Sequence, residues 1–255
     1  MSGSVCKRLI GKIAVVTAST EGIGLSIAER FAQEGAKVLI SSRKQSNVDK
    51  ALQQLKGKGL SVHGVVCHVS NAEHRKLLFQ EAAKLGGLDI LVSNAAVNPE
   101  VGAVLDASEQ SWDKIFEVNV KASYLLAKEA LPLLRKSKAG RIIFISSIAG
   151  FQPFDLLGAY SVSKTALIGL TKAASQQLAS DNITVNCIAP GIIKTKFSET
   201  LTTGPAEEIA LSQIALKRFG TPENISGVAA MLASDDGAYI TGESIIASGG
   251  MPSRL

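Results

Sequence analysis

The sequence predicts an α/β protein with a doubly wound, seven-stranded parallel sheet and helices on both faces, and two observations carry that prediction. Short apolar runs recur along the 255-residue chain, nearly continuous in Val, Ile and Leu instead of alternating, which marks strands covered on both faces. Between them lie segments with apolar residues at three- and four-residue spacing, bounded by Gly, Ser, Asn or Pro, and these read as amphipathic helices.

In chain order the strands are KIAVVT (12–17), KVLISS (37–42), VHGVVC (62–67), LDILVS (88–93), RIIFIS (141–146), ITVNCIA (183–189) and ESIIAS (243–248). Helical spacing falls on 22–34, 71–85, 111–136, 158–180 and 222–233. Right-handed crossovers between parallel neighbours then place a ligand crevice at the C-terminal ends of the strands. A single domain is expected over 1–255, with its core at about 10–250 and a tail at 251–255. The stretch from about 194 to 220 has no clear sheet partner, and its Thr, Gly and Pro content suggests a mobile lid.

Composition narrows the function classes. A hydrophobic content of 46% fits a globular enzyme, and 27 Lys and Arg against 22 Asp and Glu leave a net charge of +5. The basic residues are dispersed, so nucleic-acid binding is not expected. No stretch is long and apolar enough for a membrane span, and the N-terminus lacks the apolar segment of a secretory signal. Cys6, Cys67 and Cys187 are distant in sequence and odd in number, which favours buried thiols in a reducing compartment over disulfides. The final residues, Ser253-Arg254-Leu255, differ from the peroxisomal address Ser-Lys-Leu by one cation. Import through a peroxisomal receptor is therefore expected, with a cytoplasmic location as the alternative.

Directly after the first strand comes Thr17-Ala18-Ser19-Thr20-Glu21-Gly22-Ile23-Gly24, followed by an amphipathic helix. Glycine there lets the backbone approach a pyrophosphate, and the helix N-terminus presents free N–H groups to it. The second strand ends in Ser41-Ser42-Arg43-Lys44, without the acid that grips the ribose hydroxyls of NAD. Arg43, with Lys44 beside it, suits the 2′-phosphate of NADP, because charge-assisted contacts from a guanidinium fork are strong and selective.

The chemistry points to Ser147, Tyr160 and Lys164. Ser146-Ser147 closes a strand, and Tyr160 and Lys164 stand four residues apart on one face of the helix that begins near 158. An unperturbed tyrosine titrates near pH 10 and needs a neighbouring positive charge to move protons at neutral pH. Lys164 is expected to supply that charge. Two hydroxyls, on Ser147 and Tyr160, would then stabilise the oxyanion that develops when a carbonyl accepts hydride. His63, His68 and His74 show no zinc-like spacing with cysteine, so no metal is expected.

With these residues in view, the chain over about 10–250 resembles the short-chain dehydrogenase/reductase family. The family's ordered motifs appear as TASTEGIG (17–24), SNAA (93–96), Asn119, Ser147, YSVSK (160–164) and Pro190-Gly191 followed by Thr195. The resemblance implies a Rossmann-type fold with Tyr160 as the general acid or base. Ser147 would bond the reacting oxygen, Lys164 would also hold the nicotinamide ribose, and Asn119 would hold a relay water. It further implies that Ala18, Ser19, Thr20, Gly22, Ile23, Gly24, Ser42, Arg43, Lys44, His68, Val69, Asn94, Ala95, Ala96, Pro190, Gly191, Ile193 and Thr195 bind NADP(H).

Within that family the chain resembles peroxisomal NADP-dependent carbonyl and retinal reductases. That likeness implies a homotetramer, with apolar ketones, retinal-like aldehydes or α-dicarbonyls held against Phe151, Phe154, Leu156, Leu157, Phe197 and Leu201. The tetramer would pair the 111–136 and 158–180 segments across two-fold axes.

Three positions depart from the family pattern. Ala18 replaces a glycine and is expected at negative φ, Ala96 replaces another glycine, and His68 stands where an Asp usually meets the adenine. The same residues would also serve a 3-oxoacyl thioester reductase. A catalytically idle NADP sensor or interaction module is the alternative of a different class.

Overall fold

The computed structural model describes residues 7–253, and the side chains of all of these but Thr200, Leu201 and Pro205. Cys6, Arg254 and Leu255 thus lie outside the described residues. All seven strands form, as β1 (Ile13–Val16), β2 (Lys37–Ser42), β3 (Val62–Val66), β4 (Ile90–Ser93), β5 (Gly140–Ile145), β6 (Ile183–Pro190) and β7 (Ser244–Ala247). They make one sheet in the order β3-β2-β1-β4-β5-β6-β7, with every neighbouring pair parallel.

Continuous hydrophobicity in the strands has a direct cause in this layering. Ala14 and Val16 of β1 enter one core while Val15 enters the other, and β5 divides Ile143 and Ile145 from Ile142 and Phe144 in the same way. The first core lies under α1 (Gly22–Gln33), α2 (Gln45–Lys56) and α9 (Pro222–Ala233). The second lies under α3 (Ala72–Lys84), α5 (Ala122–Leu134) and α6 (Gly158–Leu178). Because β1 sits beside both β2 and β4, the chain leaves the sheet centre in both directions and opens a crevice above the C-terminal ends of β1 and β4.

Two expectations change. The single helix expected over 111–136 is instead α4 (Glu109–Ile115), a π-helical turn (Phe116–Lys121) and α5. Such a turn accommodates an extra residue, so the side chains on either side of it face differently, and it recurs at functional sites. Asn119 lies within it.

The 194–220 stretch does have a partner and internal structure. Its ends are tied by the bridge between Ile193 and Gly220, and it contains α7 (Glu199–Thr202) and α8 (Pro205–Ser212). Ile214 is buried with Ile148 and Met251, and Leu211, Phe154 and Phe219 pack around them. Apolar burial, which the loop-like composition concealed, anchors this excursion beside the turn that follows β5.

Candidate active site

Three hydrogen bonds and a glycine fix α6 against the end of β5. Ser146 Oγ donates to the Lys164 carbonyl (2.8 Å), Lys164 Nζ to the Ile145 carbonyl (2.8 Å) and Thr165 Oγ1 to the Gly150 carbonyl (2.8 Å). At Gly150 a Cβ would stand 2.8 Å from the Lys164 carbonyl carbon, so only glycine lets the helix backbone come this close. Tyr160, Ser161, Ser163 and Lys164 are all buried on this end of α6.

Ser147 caps the short 3₁₀ turn Ile148–Gly150, its Oγ accepting the Ala149 N–H at 3.1 Å. It also hydrogen-bonds the Tyr160 phenol, which brings the two expected hydroxyls together. The ring of Phe197 lies 5.9 Å from that of Tyr160, while Phe197 itself is 57% exposed and so covers the phenol from the solvent side.

The electrostatics depart from the simple expectation. Burial pushes the Tyr160 phenol above its ordinary value, and the hydrogen bond from Ser147 only partly offsets it. Lys164 Nζ lies 5.4 Å from the centroid of the tyrosine ring and donates to Ile145, so it does not meet the phenolic oxygen here. Burial lowers Lys164 to about 8, with the nearby Cys187 acting in the opposite direction. The phenol is therefore held protonated, beside a lysine whose hold on its own proton burial has weakened.

Asn119 is fully buried. Its Oδ1 accepts the Val97 N–H (2.8 Å), and its Nδ2 donates to the Val97 carbonyl (3.0 Å) and to Ser163 Oγ (3.1 Å). Ser163 Oγ in turn donates to the Tyr160 carbonyl (2.6 Å). The Asn119 amide thus ties the segment after β4 to the turn of α6 that carries Tyr160.

At the other end of the crevice, Asn94 locks the glycine loop. Its Nδ2 donates to the carbonyls of Thr17 (3.1 Å) and Ala18 (3.0 Å), and Thr17 Oγ1 accepts the N–H groups of Asn94 (3.0 Å) and Ala95 (3.3 Å). Ser19 bridges β1 and β2, with Oγ donating to the Val16 carbonyl (2.6 Å) and accepting the Ser41 N–H (3.0 Å). Ala18 is forced to φ +49°, contrary to the negative φ expected of it. Its carbonyl is held by Asn94, and a Cβ makes this left-handed conformation costly.

A Cβ at Gly24 would lie 2.5 Å from both the Ala18 oxygen and Asn94 Nδ2, so the backbones of the loop and α1 touch. No side chain caps the first turn of α1, where Ile23 and Gly24 lie, and its N–H groups stay available to an anion. Gly22, at φ +56°, would bring a Cβ 3.4 Å from Thr195 Cγ2. The Pro190-Gly191 to Thr195 segment, with Ile193 buried, therefore closes over the same loop. Arg43 and Lys44 are exposed between β2 and α2, and Ser42 before them is half-buried. His68 and Val69 follow β3, and Ala95 and Ala96 follow β4. A dinucleotide phosphate fits this set of donors: free helix N–H groups, a loop without side chains at its closest approach, and two exposed cations.

Phe151, Phe154, Leu156 and Leu157 lie between the 3₁₀ turn and α6, and Leu156 is 62% exposed. The Leu201 side chain lies outside the described residues. The loop before α4 went unassigned in sequence. Its Gly102 pairs with Leu157, and Val104 lies where a Cβ on Gly158 would stand 2.4 Å from its Cα, so this loop walls the site beside Tyr160. No local pattern in the sequence marks that contact. Among the described residues no three His, Cys, Asp or Glu side chains converge as metal ligands, and no helix is long and apolar enough to cross a membrane.

A family model described as enoyl-(acyl carrier protein) reductase matches residues 17–252. Dehydrogenase/reductase SDR family member 4 of Oryctolagus cuniculus is 52% identical over 100% of this chain and 99% of its own. The Homo sapiens protein of the same name is 51% identical over 97% and 90%. Short-chain dehydrogenase/reductase SDRA of Arabidopsis thaliana is 48% identical over 100% of both. Among solved structures, a short chain dehydrogenase from Burkholderia cenocepacia in complex with NADP superposes with a TM-score of 0.88 at 29% identity, covering 95% of this chain and 98% of that one. A dehydrogenase/reductase from Sinorhizobium meliloti gives 0.89 at 32%, covering 97% of each.

Two outcomes follow from the strained and the desolvated residue. Ala18→Gly relieves the left-handed strain against a small loss to unfolded-chain entropy and should raise the unfolding free energy by about 0.5–1 kcal/mol in urea titrations. Lys164→Met removes a buried charge and should stabilise the chain by about 1–3 kcal/mol at pH 7 while abolishing turnover. Since Lys164 titrates at about 8 when folded and at 10.5 when unfolded, the unfolded state holds the extra proton between those values. Wild-type stability gains relative to the variant should rise across that window, narrowing the gap.

Proposed function

The chain belongs to the short-chain dehydrogenase/reductase family, and we propose that it is an NADPH-dependent carbonyl reductase in which Tyr160 delivers the proton. The observation that carries this reading is the convergence at the end of β5 of Ser147, hydrogen-bonded to the Tyr160 phenol, and Lys164, whose Nζ lies 5.4 Å from the centroid of the tyrosine ring. NADP(H) is the cofactor, as the NADP complex of the Burkholderia relative supports.

Bound NADPH supplies the hydride to the carbonyl carbon. Tyr160 Oη gives its proton to the carbonyl oxygen as negative charge grows there, and the Ser147 hydroxyl donates to that same oxygen. The product is the alcohol. Burial keeps the Tyr160 proton in place until the substrate oxygen demands it, and the Lys164 ammonium, 5.4 Å from the ring centroid, would stabilise the phenolate left behind. In the reverse direction Tyr160 acts as the base. Asn119 anchors the wall on which a relay water would return the proton.

Arg43 and Lys44 would hold the 2′-phosphate, the first turn of α1 the pyrophosphate, and Lys164 the nicotinamide ribose. Phe151, Phe154, Leu156, Leu157 and Phe197 would form the apolar wall for a ketone, a retinal-like aldehyde or an α-dicarbonyl. The covering of Tyr160 by Phe197 supports an apolar substrate. Exposed Tyr124 on α5 and Val162 on α6 support the pairing of these helices in a homotetramer. Ser253-Arg254-Leu255 supports peroxisomal import.

The matching family model is described by an acyl thioester substrate, which keeps one second reading in view, a 3-oxoacyl thioester reductase. A panel of ketones and 3-oxoacyl thioesters followed by NADPH absorbance separates the two, and turnover of neither points to an idle NADP-binding module. Tyr160→Phe should lower kcat on the best ketone by about 10²–10⁴-fold; near-normal turnover overturns the assignment. Arg43→Ala should raise the KM for NADPH by about tenfold, ~1.4 kcal/mol of lost binding. A rise below about threefold, well under ~1 kcal/mol, removes Arg43 as the NADP determinant.

A further inference from the structure

Two side chains of α3 grip the turn that follows β3. The His68 backbone N–H donates to Nδ1 of His74 (3.1 Å), and the Val69 carbonyl accepts from Arg75 Nη1 (2.8 Å). The Ser70 N–H donates to Nδ1 of His68 itself (3.3 Å). Arg75 is 4% exposed, and its Nε and Nη2 both reach Glu129 Oε1 of α5 at 3.0 Å. One guanidinium therefore ties the turn to α5 behind it. His74 is oriented in turn by the helix cap, in which Asn71 Oδ1 accepts its N–H (3.0 Å).

His68 is half-buried and lies within electrostatic reach of Arg43 at the end of the neighbouring β2. A nucleotide whose 2′-phosphate sits on Arg43 brings its base and ribose against the 68–70 turn. A turn with two backbone N–H groups and a carbonyl bound by side chains presents one fixed surface to that base.

We propose that His74 and Arg75 are positioning residues for the adenosine end of the cofactor, acting through the backbone of residues 68–70. This rests on the assignment of His68 and Val69 to the cofactor site. Neither residue has a part in hydride or proton transfer, so their loss should weaken nucleotide binding and leave the chemical step alone.

The test is direct binding of NADPH to the intact protein, read by its fluorescence, with adenosine 2′,5′-bisphosphate as a competitor that reports the adenosine end alone. Arg75→Met should raise the Kd of both ligands by about tenfold and His74→Leu by about fivefold, with kcat at saturating NADPH within about twofold of wild type. His74→Asn, whose amide oxygen can replace Nδ1 as the acceptor, should restore binding to within about twofold. Arg135→Gln breaks the surface pair with Asp181 (2.8 Å) and serves as the control that leaves both affinities unchanged.

If wild type fails to bind NADPH, the cofactor reading itself is wrong. If wild type binds but Arg75→Met and His74→Leu match it, the inference is overturned while that reading stands. Equal affinities for His74→Leu and His74→Asn, or a loss for NADPH without one for the bisphosphate, also overturn it. Should Arg75→Met not fold, the His74 pair decides.

Discussion

The site is organised around one buried ammonium. Lys164 is 2% exposed, and a charge so placed is tolerated only where the surrounding backbone receives it. Here the Ile145 carbonyl at the end of β5 accepts from it, while Ser146 and Gly150 draw the Lys164 backbone onto the same strand end. These contacts fix the register of α6 on the sheet, and with it the position of Tyr160 one helical turn earlier. Stability is given up at this point to hold a cation beside a phenol.

A second layer extends that constraint across the crevice. Thr17, Asn94, Asn119 and Ser163 join the segments after β1 and β4 to α6 by hydrogen bonds from their side chains. Loops at strand ends leave many backbone groups without ladder partners, and these polar side chains satisfy them. Asn94 and Asn119 therefore act first as braces. The same bracing at the 68–70 turn is done by a histidine and an arginine from α3.

How far the sequence could be read differed by kind of residue. The seven strands and their parallel arrangement were legible because covering a sheet on both faces demands nearly continuous apolar runs, as in IAVV of β1. Ser147, Tyr160 and Lys164 were legible because their spacing places them on a strand end and one helical face. The left-handed Ala18 was not, since it sits in a turn braced by Asn94 from far along the chain. Nor was the structure of 194–220, whose polar composition hides Leu211, Ile214 and Phe219 packed on Ile148. The role of Arg75 was equally hidden: on a helix it reads as a solvated cation until Glu129 and Val69 are brought to it.

The sequence alone determined the fold class, the glycine turn suited to a phosphate, the cations suited to NADP and the serine, tyrosine and lysine proposed for the reaction, because each depends on periodicity or spacing within a short stretch. Tertiary structure decided the electrostatic state of those groups. Burial raises the Tyr160 phenol and lowers the Lys164 ammonium, opposing the acidification that spacing suggested. Desolvation depends on everything packed around a group, and no local pattern in a chain records it.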